Sequence, residues 1–167
     1  MTTRILKGTL PCPAAELMER LHDERAFPAH AADIVSVEDA GGKDLYRWTL
    51  AFRKSTAQWV QRSRRAVDGP AHRIDFEQVE GDFQQFAGAW SCADAPGGCE
   101  VSFEVRFRTS VPHLAGAVDS AVGRVLVRSA HRILTAVGGP VRITSGGHHL
   151  RDLPEELLAR RTPIDAL

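Results

Sequence analysis

The chain has 167 residues, with 21 basic and 21 acidic side chains, so its formal charge is zero. A balanced chain gives no electrostatic reason to expect a nucleic acid or an anionic membrane as partner, and no apolar run approaches the length of a membrane span. Three cysteines (Cys12, Cys92 and Cys99) are too few and too scattered for a disulfide framework, and no Cys/His spacing resembles a zinc site.

The first element, Arg4 to Leu10, reads as a short strand. The stretch PCPAAELMERLHDERAF then reads as a helix. Pro13 suits a first helical position, where its missing N–H costs nothing. Ala14, Leu17, Met18 and Leu21 keep the i, i+3, i+4, i+7 spacing of one buried face. Phe27-Pro28 ends that pattern, and AHAADI reads as a second short helical turn. The opening MTTRILKGTLPCPAAEL lacks the long apolar segment of a signal peptide, which makes the cytoplasm the expected compartment.

From residue 34 to 109 the hydrophobic period changes to two. IVSVED is a strand, AGGKD a hairpin turn whose glycines supply positive φ, and LYRWTLAF a strand with Tyr46, Trp48, Leu50 and Phe52 on one face. TAQWVQRSRRAV follows, then the turn DGPA. HRIDFEQVE puts Ile74, Phe76 and Gln78 on one face; FQQFAGAWSC does the same with Phe86, Gly88, Trp90 and Cys92. In CEVSFEVRFR, Val101, Phe103, Val105 and Phe107 alternate with polar residues, the clearest half-buried strand in the chain.

After TSVP the period is helical again. Ser110 can cap and Pro112 can open a helix, whose apolar face runs from Val118 through Val122, Leu126, Ser129, Ala130 and Ile133 to Val137. Arg124, Arg128 and Arg132 lie largely opposite, and GGP at 138–140 stops it. Residues 1–140 read as one domain, and 141–167 as a tail with a short helix at 154–161. The element order defines an α+β chain: a strand, two short helices, six antiparallel strands and one long helix. A twisted sheet curling round a single helix leaves a concave space between them, and such spaces hold ligands.

This order, with particular residues, resembles the START/Bet v1-like helix-grip superfamily, and within it the polyketide cyclase/dehydrase and coenzyme-Q-binding branch. Three stretches carry the likeness: LPCPAAELMERLHDERAFPAHAADIVSVE, with its aromatic-Pro pair Phe27-Pro28; IDFEQVEGDFQQFAGAW, with its Gly-Asp-Phe turn and Gly-x-Trp; and GGCEVSFEVRF. The likeness spans roughly residues 3 to 138. It implies a curved antiparallel sheet of about seven strands wrapped round the C-terminal helix, enclosing a cavity. It implies one of two functions. One is a cofactor-independent, metal-free aromatase/cyclase or dehydrase that guides aldol closure and dehydration of a poly-β-ketone, with an acyl carrier protein as partner. The other is a non-catalytic carrier of a quinone, lipid or polyketide. The oligomeric state, monomer or homodimer, stays open.

The resemblance also implies roles for residues. Family enzymes place an arginine on the strand after the first hairpin, six residues beyond a tryptophan on the same face, and Trp59 and Arg65 have that relation. Anchoring on Trp59-Val60 as a later Trp-Val pair gives Ser63 instead. Arg65 either points inward or joins Arg62 and Arg64 in a solvated basic edge. The family tyrosine expected near the strand after the helix pair is Ile34 here; the chain's single tyrosine, Tyr46, lies one strand later. Arg65 and Tyr46 are thus the candidate catalytic pair, for carbonyl polarisation and proton transfer. Trp48, Trp59, Phe86, Trp90 and Phe103 are candidate substrate-stacking aromatics. Gln78 is a candidate polar contact unless a bulge near Gly81 turns it outward. Ser129 is another, unless its hydroxyl bonds the carbonyl one turn back.

Overall fold

The period-two stretches all become strands of one sheet. In this computed structural model, which describes residues 1–109 and 115–150, the strands are β1 (Thr2–Leu10), β2 (Ile34–Asp39), β3 (Leu45–Phe52), β4 (Ser55–Asp68), β5 (Ala71–Gly81), β6 (Phe83–Ala95), β7 (Gly98–Thr109) and β8 (Arg142–Ser145). They run antiparallel in the order β2-β3-β4-β5-β6-β7-β1-β8. Helix α1 (Ala14–His22) and helix α2 (Phe27–His30), joined by a 3-10 turn at Glu24–Ala26, follow β1, and the long helix α3 (Ala115–Gly138) follows β7. The result is an α+β helix-grip fold. Among the described residues, no helix is long and apolar enough to cross a membrane.

Two boundaries differ from the sequence reading. The second helical turn begins at Phe27 itself, with Pro28 in its first positions, because proline is compatible with a helix start. Arg142–Ser145, expected in the tail, pairs with β1 and makes an eighth strand. Residues 154–161, Ser110 and Pro112 lie outside the described residues.

The packing follows the periodicities. Ala14, Leu17, Met18 and Leu21 of α1 are all buried, as are Val122, Val125, Leu126, Ser129, Ala130, Ile133 and Leu134 of α3. Asp94 and Asp119 are among the carboxylates that tie the helices to the sheet. Asp94, at the end of β6, accepts the N–H of Ala14 at 2.8 Å and so caps α1. Buried Asp119 accepts from the Thr2 hydroxyl at 2.9 Å and from the Thr109 N–H at 3.2 Å, joining α3 to β1 and β7.

The sheet closes tightly at two glycines. A Cβ on Gly88 would lie 2.2 Å from the Glu104 carbonyl oxygen and 2.6 Å from the Phe76 ring, so only glycine lets Phe76 cross β6 there. Gly81, at φ 148°, approaches Trp59, and a Cβ on it would lie 2.4 Å from that of Trp59. Just before Gly81, β5 carries a bulge: Val60 pairs with Glu80 and Gln61 with Gln78, leaving Val79 unopposed and exposed. The three cysteines are free, with Cys92 and Cys99 buried. Burial raises the thiol pKa values of Cys92 to about 11 and of Cys99 to about 12.

Candidate ligand cavity

Directly opposed residues in an antiparallel sheet share a face, and the register collects the aromatics on the concave one. Trp48 lies opposite Trp59, Trp90 opposite both Ile74 and Phe103, and Phe76 opposite Gly88. The rings interlock. Trp48 and Trp59 stack at 5.6 Å, Trp59 meets Phe86 at 4.9 Å, and Trp90 meets Phe103 at 4.7 Å. Leu126, Ser129, Ala130 and Ile133 of α3 close the other side.

The void between these groups measures about 30 Å³, room for a water molecule or two. The element order predicts that a single helix leaves the concave side unfilled; instead the aromatic side chains nearly fill it. A larger guest must displace some of them.

The cavity has two polar features. On α3, Ser129 is 3% exposed and its hydroxyl has no hydrogen-bond partner among the described residues. It therefore does not make the bond to the carbonyl one turn back. A buried hydroxyl left unpaired costs about 1–3 kcal/mol, and this one lines the cavity.

On the opposite wall stands Gln61, whose amide belongs to a buried hydrogen-bond network. Its Nε2 donates to Glu24 at 3.3 Å and to the Ser63 hydroxyl at 3.2 Å, while its Oε1 accepts from the Trp59 indole at 3.0 Å. Trp48 donates its indole N–H to the same Glu24 oxygen at 2.9 Å, and the Ser63 hydroxyl bonds that carboxyl as well. Glu24 is only 3% exposed. It sits inside because Phe27, three residues on, anchors the α1–α2 connection in the core against Trp48 and Trp90. Burial pushes the Glu24 pKa up to about 7; the bonds from Ser63, Trp48 and Gln61 resist that rise, and the charge of Asp44 adds to it.

Of the residues singled out from sequence, the structure brings Trp48, Trp59, Phe86, Trp90, Phe103 and Ser129 to this one cavity. Three others lie elsewhere. Arg65 has the concave parity, opposite Ile74, but near the end of β4 it reaches over α1 and pairs with Glu19 at 2.7 Å, partly in solvent. Of the two alternatives for Arg65, the structure shows the partly solvated one and not the inward one. Gln78 also has the inward parity, yet its amide clasps the backbone of Phe83, donating to its carbonyl at 2.9 Å and accepting its N–H at 3.1 Å. It secures the β5–β6 turn, and Gln61 takes the place expected for it. Tyr46 is half-buried at the edge of the Glu24 network, opposite Gln61. Its pKa is raised by burial first, then by the charges of Glu24, Asp39 and Asp44.

Two residues of the site were not foreseen. Gln61 was accessible to sequence reasoning, since it continues the inward parity of Trp59. Glu24 was not, because a short 3-10 turn has no periodicity to mark which side chain faces in.

The family model for polyketide cyclase/dehydrase and lipid transport matches residues 10–134. The chain belongs to this family. No curated protein matches it in sequence. Among solved structures it is similar to the Zhui aromatase/cyclase from Streptomyces sp. R1128, with 17% identity, TM-score 0.65, and 81% of this chain and 94% of that one covered. It is also similar to a START superfamily protein from Mycobacterium smegmatis (12% identity, TM-score 0.64, 81% and 95% covered) and to the ginseng major latex-like protein 151 from Panax ginseng (14%, 0.61, 83% and 98%). At these identities the likeness concerns the fold.

Proposed function

We propose that the protein receives a flat, oxygen-bearing apolar molecule of the polyketide class between α3 and the concave face, and acts there as a cyclase or dehydrase. The observation that carries this reading is the buried Ser129 hydroxyl, without a partner among the described residues, in a mostly apolar, aromatic-rich cavity. A hydroxyl in that state is satisfied when a guest brings an oxygen to it.

Aldol closure of a flexible poly-β-ketone gains most from being folded once into the right shape, because holding two reacting carbons together replaces lost freedom of the chain. The ring-lined space supports that role, and Ser129 is the donor placed to polarise a carbonyl. The roles the resemblance assigns to Arg65 and Tyr46 belong to this proposal with two conditions. Arg65 must exchange Glu19 for substrate, and Tyr46 must turn from the edge of the network. Arg62 and Arg64 would meet an acidic acyl carrier protein, and the route served would be antibiotic-type polyketide biosynthesis. Three free thiols fit a reducing, cytoplasmic setting.

The test is a reconstituted synthase that releases a carrier-bound poly-β-ketone. The reading expects one cyclised, dehydrated product to replace the spontaneous mixture when the protein is added. An unchanged mixture with no bound polyketide sinks it. A second reading, a non-catalytic carrier, is favoured by the pairing of Arg65 with Glu19 outside the cavity. It expects tight binding and an unchanged mixture.

A further inference from the structure

The polar wall of the cavity can be accounted for atom by atom. A glutamine amide has two N–H donors and two carbonyl lone pairs. In Gln61 one hydrogen goes to Glu24, the other to Ser63, and one lone pair to the Trp59 indole. What remains is a single lone pair on Oε1. The reverse amide orientation would set NH2 against the Trp59 N–H and the carbonyl against the Glu24 carboxylate, a donor facing a donor and an acceptor facing an acceptor. Ser129, across the cavity, keeps its hydroxyl hydrogen unused.

We infer that Glu24 is a positioning residue that locks Gln61 with its carbonyl as the free group, so that the cavity selects a flat ring ligand with a hydroxyl at the Gln61 end and a carbonyl at the Ser129 end. The class is a hydroxyaryl ketone. This rests on the reading of the cavity as a ligand site and deepens it. The lock depends on the carboxylate form. A protonated Glu24 can itself donate a hydrogen bond, and the reverse orientation of Gln61 then loses one of its two penalties. The groups facing Glu24 are Ser63 and Gln61 on β4, Trp48 and Tyr46 on β3, and Asp44 before it. Arg25, beside it in the chain, is held by Asp39 at 3.1 Å. The raised pKa of Tyr46 keeps its phenol neutral throughout the range tested.

The experiment titrates the full-length protein with 6-acetyl-2-naphthol, its methyl ether and 2-acetylnaphthalene, at pH 7.5 and pH 6. Binding of 2-acetylnaphthalene tests the cavity itself. The inference expects the naphthol to bind about tenfold tighter than either analogue at pH 7.5, the size of one buried hydrogen bond. It expects that preference to shrink at pH 6, and in Glu24→Gln to be smaller than in the parent at pH 7.5 and the same at both pH values. Ser129→Ala should bring 2-acetylnaphthalene close to the affinity of plain naphthalene. If 2-acetylnaphthalene binds but the naphthol preference is absent, or is the same at both pH values, the inference is overturned and the cavity reading survives. If no probe binds, both fall. The pH comparison on the unaltered protein decides the matter should Glu24→Gln fail to fold.

Discussion

The indole N–H of Trp48 points at the carboxyl of Glu24, 2.9 Å away, linking the middle of β3 to the turn between α1 and α2. Three donors converge on this buried acid, and burial still lifts its pKa from 4.5 to about 7. The folded protein therefore holds a proton there that the unfolded chain has released. Between pH 4.5 and about 7 the native state binds more protons, so stability falls as pH rises through that window and levels off above it. The shift corresponds to about 3 kcal/mol. Chemical denaturation of the parent and of Glu24→Gln, from pH 5 to pH 8, should show a downward slope in the parent that the variant lacks. Parallel curves would contradict it.

Ser129 predicts a gain on mutation. Its hydroxyl is buried with no partner among the described residues, so Ser129→Ala should raise the stability of the ligand-free protein by about 1–2 kcal/mol. Ligand affinity should drop in the same variant, the usual opposition between stability and a site kept ready for a partner. Thermal unfolding with and without bound ligand checks both signs.

Arg65 predicts a small effect. Its pair with Glu19 is partly solvated, and such pairs contribute about 0–1 kcal/mol. Arg65→Ala should change the unfolding free energy by no more than that and leave the affinity for aromatic probes within about twofold. A large loss of affinity would show that the guanidinium leaves Glu19 to meet the ligand.

Gly88 predicts a large one. An added methyl meets the Glu104 carbonyl and the Phe76 ring at distances no contact tolerates. Gly88→Ala should destabilise by about 1–3 kcal/mol and disturb the cavity wall through Phe76. Urea unfolding together with the near-ultraviolet circular dichroism of the aromatics measures it.

The fold was legible because its periods are clean. Val101, Phe103, Val105 and Phe107 alternate without a break in β7, and all four are buried. Leu17, Met18 and Leu21 did the same for α1. The cavity aromatics followed from the same alternation. The polar residues did not, because parity fixes which face a side chain leaves from and not where its tip arrives. Arg65 and Gln78 both leave the concave face, but one reaches an acidic partner over α1 and the other closes on a turn backbone two strand ends away. Glu24 is buried by the anchoring of Phe27 beyond it, a tertiary effect with no local signature.

The proposed function requires that the space among the tryptophans admit a flat guest. All three tryptophans of the chain line it, so their fluorescence is a direct reporter. Titration with 6-acetyl-2-naphthol should quench tryptophan emission saturably at one molecule per chain, and Ala130→Phe, which fills the cavity from α3, should abolish the quenching. Emission that never saturates, or that is quenched equally in Ala130→Phe, would contradict the account.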